Sequence, residues 1–202
     1  MVTMKDFVQT KTTHDAILDA TEKLLARYGY KKMTIDDLAH EVGIGKGTVY
    51  LYFPSKEEIA LTHIDRIIER LKSCLWNIAK SDVSPASKIK KMLIERVMFR
   101  FDSVQHYSLS LNEMLAQIRP KLLQRRKRYF AEEASILAGV LAEGSAAGIF
   151  ADDAEKYAEA LVIATNSLLP YSLSTFELGS REEIKNKASS LADVLVAGVE
   201  RR

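Results

Sequence analysis

Apolar positions recur along most of the chain at spacings of three and four, the period of a helix with one buried face. From Thr13, the residues Ile17, Ala20, Leu24, Leu25 and Tyr28 share a face, and Gly29 stands where a helix stop is expected. A second helix starts at a strong signal. Thr34 serves as N-cap, Asp37 as its capping-box partner, and Met33 with Leu38 as a hydrophobic staple. Its stripe, Ile35, Leu38, Ala39 and Val42, covers two turns before Gly43-Ile44-Gly45 interrupts it. A third helix then runs from Lys46 to about Tyr52, with Gly45 as cap and Ile44 and Val49 as a second staple.

Two short helices joined by a glycine-containing turn form a helix-turn-helix, whose second helix is sized to enter a DNA major groove. Pro54 breaks the third helix, and Ser55 with Glu58 opens a fourth by another capping box. The stripe Ile64, Ile67, Ile68, Leu71, Cys74 and Leu75 carries this fourth helix to about Asn77, long enough to bridge two domains. After a polar connector at Lys80 to Ser87, periodicity resumes at Ile89, Met92, Leu93 and Val97. Further helices are expected over Ser108 to Ile118 and from Pro120, at a first helical position, to about Glu143. Two more follow, one with the stripe Ala154, Tyr157, Ala158, Leu161, Val162, Thr165, Leu168 and Leu169. The last is capped by Ser180 and Glu183 and carries Ile184, Ala188, Leu191, Leu195 and Val199. The pattern predicts an all-α chain of about nine helices.

Composition agrees: few prolines and glycines and 8% aromatics favour helix over sheet. Net charge is only +2, so a nucleic-acid function has to rest on a local site. Residues 1–56 hold eight basic and seven acidic side chains, which weakens nonspecific attraction to DNA and favours recognition through geometry. The single cysteine, Cys74, excludes an internal disulfide framework, and no segment has the length and apolarity of a membrane span or a signal peptide, so a cytoplasmic protein is expected.

The stretch Thr34 to Glu58, TIDDLAHEVGIGKGTVYLYFPSKEE, resembles the DNA-binding region of the TetR family of bacterial transcriptional regulators. The likeness is most distinctive at Gly43 to Tyr50 and at Tyr52 to Lys56, and it covers the chain's first ~60 residues. It implies an N-terminal three-helix helix-turn-helix DNA-binding domain and a C-terminal helical ligand-binding and dimerisation domain. The divisions are an arm at residues 1–11, the DNA-binding domain at 12–56, and the effector and dimerisation domain at 57–202.

Each candidate DNA contact has its own chemistry. Thr34 sits at a helix N-terminus whose free N–H groups and hydroxyl suit a phosphate. Lys46 and Gly47 open the recognition helix, Gly47 allowing close approach to DNA because it has no side chain. Thr48 offers a methyl and a hydroxyl, and Tyr50 a flat ring and a phenolic donor. By resemblance, Tyr52 and Lys56 clamp the DNA backbone. Val49 and Phe53 point inward by spacing, whereas Leu51 either meets a thymine methyl or packs under the first helix.

The resemblance further implies a homodimer formed through the two C-terminal helices, a double-stranded operator that is nearly palindromic, and a small-molecule effector. Candidate ligand residues are Trp76, Phe99, Met114, Asn166 and Tyr171, with Asn112 and Gln117 as further polar groups. The basic run Arg119 to Arg128 reads more readily as a solvated face than as an anion site. The sequence lacks G-x-S-x-G, a P-loop and H-E-x-x-H, so no enzyme is expected, and no cofactor or metal either. His63, Cys74 and His106 are the residues with which a metal reading would be tested.

Overall fold

A computed structural model describes the backbone of residues 4–105, 111–169 and 175–201, and the side chains of residues 13–103, 114–169 and 177–201. The described residues are helical apart from short connections and one isolated bridge between Phe150 and Glu200. They divide into two compact bodies, Met1–Ile67 with His106–Leu122, and Ile68–Gln105 with Leu123–Arg202.

In the first body, helix α1 (Met4–Lys32) begins well before Thr13. The segment Met4 to Thr12 holds neither Pro nor Gly, so the hydrogen-bond ladder has no local reason to stop, and the expected arm at residues 1–11 is helical from Met4. Gly29 breaks the helical backbone at φ 76° and ψ 168°, and the Met33 N–H donates to the Gly29 carbonyl at 3.1 Å. This break moves burial out of phase with the helix: Tyr28 is half exposed, and Tyr30 is fully buried in its place. Helix α2 (Ile35–Val42) starts at the complete Thr34–Asp37 capping box and ends at Gly43 in the left-handed region. Helix α3 (Lys46–Tyr52) follows from Gly45. Ile17, Leu24, Leu25, Met33, Leu38, Val49 and Phe53 lose nearly all contact with solvent, and α1 packs on α2 and α2 on α3.

Helix α4 (Lys56–Ala79) begins where the Ser55 hydroxyl accepts from the Glu58 N–H at 3.2 Å. Its first turns, with Ile59, Ala60 and Leu61 fully buried, belong to the first body, which therefore extends past Lys56. Arg66 holds this helix to α1, donating to the Leu18 carbonyl at 2.9 Å, to Glu22 at 3.1 Å and to Asp19 at 2.5 Å.

The second body is built on α5 (Pro85–Gln105), which packs against α7 (Ala158–Asn166), α8 (Thr175–Leu178) and α9 (Arg181–Val199). A 3-10 turn, Ala154–Tyr157, leads into α7, so the stripe read as unbroken from Ala154 is divided between two kinds of helix. Ser180 and Glu183 form the expected capping box of α9. The largest correction concerns α6 (Leu111–Ala146), a single helix with Pro120 inside it where two helices were expected, one opening at Pro120. An internal proline forfeits one ladder bond and costs ~3 kcal/mol. Buried residues on both sides, Met114 and Ile118 before Pro120 and Leu122, Tyr129, Leu137 and Val140 after it, offset that loss. Ser108, the expected start of the earlier helix, lies outside the described residues. Gly144, just beyond the expected helix end at Glu143, is inside α6, and a Cβ there would fall 2.1 Å from the Phe150 ring.

Candidate nucleic-acid interface

Helix α3 has seven residues, and its two faces differ sharply. Val49 and the following Phe53 are buried, with His14 stacked on the Phe53 ring at 4.8 Å between centroids. The opposite face presents Lys46, Gly47, Tyr50 and Leu51 to solvent, Leu51 at 84% and Tyr50 at 47% exposure. Thr48 and Tyr52 are half-buried at its margins. Two large apolar side chains held in water on so short a helix gain nothing from the fold. Leu51 therefore does not pack under α1.

Gly47 has an ordinary helical backbone, and a Cβ built on it meets no atom within 4 Å. Neither turn geometry nor internal crowding accounts for glycine at this position. Gly43 differs: its φ of 76° closes α2 in a conformation that L side chains rarely adopt.

The cations around α3 are held in defined places. Lys46 Nζ donates to Asp36 Oδ2 at 2.8 Å, and this bond raises the lysine above its ordinary pKa. Lys56 lies over the Tyr30 ring, 4.4 Å from its centroid, and reaches the Lys31 carbonyl at 3.4 Å. Burial there lowers the pKa of its ammonium, and burial also pushes the Tyr30 phenol up to about 12. Thr34 is committed to its cap: its N–H and hydroxyl both donate to Asp37 Oδ2, at 2.9 and 2.7 Å, and the hydroxyl accepts from the Asp37 N–H at 3.1 Å. Those hydrogen bonds hold the Asp37 carboxyl below the usual aspartate range. Thr34 thus organises the N-terminus of α2, and the N–H groups of Ile35 and Asp36 are the first-turn donors beside it.

Two short helices, a glycine-capped turn and an outward face of lysine, glycine, tyrosine and leucine have the dimensions of a major-groove reader. Residues 17–62 match the family model described as bacterial regulatory proteins, tetR family. Across this segment the chain is similar to the TetR family. Over 84 residues it is 39% identical to an uncharacterised helix-turn-helix-type transcriptional regulator from Lactococcus lactis, covering 41% of this chain and less than half, 43%, of that relative. Along 95% of its length it is 23% identical to the fatty acid metabolism regulator protein of Bacillus subtilis, of which it covers 97%. A transcriptional regulator from Cytophaga hutchinsonii has the same fold, with a TM-score of 0.75 and 21% identity over 93% of this chain and 98% of that one. The sequence relatives named here are described as regulators.

The remaining expected site residues are dispersed. Phe99 and Asn166 lie in the second body, both half-buried, with Asn166 Oδ1 accepting from Arg100 at 2.8 Å. Trp76 is half exposed on α4, and Met114 is buried in the first body. Gln117 is exposed, and the side chains of Asn112 and Tyr171 lie outside the described residues. In the basic run, Arg126 stacks on Phe130 at 4.6 Å and Arg128 pairs with Glu132 at 3.7 Å, while Arg119, Lys121 and Lys127 are exposed. Among the described residues no group of His, Cys, Asp and Glu has the arrangement of a metal site, and no helix is long and apolar enough to cross a membrane. Sequence reasoning missed Tyr30, the seat of Lys56, and Arg66, the tie between α1 and α4. Neither has a periodic signal, because each depends on which helices meet.

Proposed function

We propose that this chain is a cytoplasmic, ligand-responsive repressor of the TetR family that binds a near-palindromic DNA operator as a homodimer and is released by a small-molecule effector. The observation that carries this reading is the outward face of α3, where Lys46, Gly47, Tyr50 and Leu51 are displayed without an internal structural reason for the last three. Lys46 exchanges Asp36 for a base edge or phosphate. Tyr50, Thr48 and Leu51 meet base edges and thymine methyls, and Gly47 lets the helix approach the sugar-phosphate backbone. Thr34, Tyr52 and Lys56 fix the register through phosphates, Lys56 by leaving the Tyr30 ring.

One short recognition helix reads too few base pairs for genomic specificity, which favours a two-fold dimer. Exposed apolar side chains on α7 and α9, Ile163 at 57% and Val194 at 70%, support an interface through these two helices. In this reading residues 12–56 contact DNA, and residues 57–202 carry the effector and the dimer. Phe99 and Asn166, together with Trp76, Met114 and Tyr171, are the residues to probe for ligand contact. Helix α4 is continuous for 24 residues and belongs in part to each body, so a ligand that moves it changes the spacing of the paired recognition helices. Converting 99% competent dimers to 1% requires a difference of ~5.5 kcal/mol in ligand affinity between the two states.

The test is selection of bound duplexes from random DNA at physiological salt, by the full chain and by Tyr50→Ala in parallel. The reading expects an enriched palindrome that the variant fails to enrich. A folded, dimeric protein that enriches no sequence, with or without candidate effectors, refutes it.

A further inference from the structure

Three helices of the second body bring an unbalanced charge cluster into its interior. Glu133 on α6 has no solvent exposure, and it accepts from Arg96 Nε at 2.7 Å and from Arg100 Nη2. Arg96, on α5, is fully buried and also donates through Nη1 to the Thr165 hydroxyl and to the Val162 carbonyl, the latter at 3.3 Å. Arg100 passes on to Asn166 Oδ1 at 2.8 Å. Two guanidinium groups therefore share one carboxylate, which leaves a surplus positive charge. Two donors of the same cluster, Arg96 Nη2 and Asn166 Nδ2, are buried without a hydrogen-bond partner.

Two carboxylates on the helices that carry the cluster have other partners among the described residues. Glu132 is bonded to Lys72 at 2.6 Å, and Asp102 holds Arg181 through two bonds of 2.8 Å. Nearby, Phe130 has Arg126 as well as Arg100 over its ring. A buried ionised group normally has all its polar atoms paired, because an unmade bond to a charged donor forfeits its solvation with no return. Arg96 Nη2 has no such partner among the described residues. At the cluster's outer edge, Arg100 and Asn166 are only partly buried, and Phe99 and Phe130 pack against the apolar core of the same body.

From this geometry we infer that the Arg96–Glu133–Arg100–Asn166 cluster is a binding site for a carboxylate, which completes the charge balance through Arg96 Nη2 and Asn166 Nδ2 while its apolar remainder lies among core side chains. The inference rests on the ligand-responsive reading above and supplies the chemical class of the effector. One carboxylate chemistry has two sources, the headgroup of an amphipathic acid or a small free anion.

The test uses the full-length protein, with melting temperature and calorimetric binding measured for octanoate, octan-1-ol and acetate against chloride at matched ionic strength. Arg96→Ala removes one of the two guanidinium partners of Glu133 and empties a buried position, which destabilises the body, so the informative variant is Asn166→Asp, which supplies the missing negative charge from the chain itself. Octanoate at saturation should raise the wild-type melting temperature by about 4 °C or more, and octan-1-ol should not. Asn166→Asp should melt higher than wild type without ligand and lose the response to octanoate. An acetate response equal to that of octanoate assigns the site to a small anion, and a response to octanoate alone assigns it to an amphipathic acid. No response to either anion beyond the chloride control, or an Asn166→Asp protein that melts lower or still responds in full, overturns the site. Binding to the selected operator is measured without ligand on the same preparation. Intact operator binding with no anion effect overturns this site alone, and the converse overturns the regulator reading alone.

Discussion

Replacing Gly47 by alanine adds one methyl group at the second position of α3, and its proposed place at the DNA gives the effects on stability and on DNA binding opposite signs. In the free protein the new Cβ meets no atom within 4 Å and the backbone is already helical, so the substitution introduces no clash and no strain. Alanine is favoured over glycine inside a helix by ~1 kcal/mol, and a position near the helix start retains roughly 0.5 kcal/mol of that. For a chain of this size the expected gain in melting temperature is about 1–2 °C. On DNA, the same methyl occupies the space through which the helix would approach the backbone. A loss of roughly 1–3 kcal/mol there corresponds to about 5- to 150-fold in affinity. Thermal denaturation and fluorescence anisotropy on the selected operator, at one fixed salt concentration, measure the two effects independently. A variant that melts lower than wild type would refute the open-space reading of Gly47. One that binds the operator undiminished would remove Gly47 from the interface.

Lys56→Ala should weaken binding to all duplexes alike and reduce the salt slope by about one counterion per subunit, while leaving the preferred sequence unchanged; a titration series in salt checks this. Phe53→Ala removes a buried ring and its stacking on His14, so it should cost ~3–5 kcal/mol in denaturant unfolding and abolish DNA binding by unfolding, whereas Tyr50→Ala should lose binding with its melting temperature intact. Because the Thr34 bonds hold the folded Asp37 carboxyl below its ordinary value of 3.8, its contribution to stability is present above that pH and is lost as pH falls through the depressed folded pKa. Asp37→Asn should therefore flatten the acid limb of the stability profile below about pH 4, measured by denaturation at successive pH values; an unchanged limb would contradict the role given to the cap.

Features enforced by a few consecutive residues were legible in the chain. The Thr34–Asp37 and Ser180–Glu183 boxes satisfy orphan donors at helix starts, and Gly29 and Gly43 adopt positive φ where helices end or break, so a short window of sequence holds the whole physical cause. The helix-turn-helix could be read for the same reason, since its turn, its caps and its inward Val49 and Phe53 lie within about twenty residues of one another. What the tertiary structure decided depends on partners far along the chain. Pro120 reads locally as a helix start, yet buried side chains on both sides keep α6 continuous across it. Tyr30 instead of Tyr28 enters the core, because the break at Gly29 resets the phase of the face. Thr165 lies in a stripe that the sequence shows, whereas Arg96 and Glu133 carry no local signal, and only the packing of three helices makes them one buried cluster. Local hydrogen bonding can be written in neighbouring residues, whereas the pairing of a buried charge is settled by which helices the core brings together.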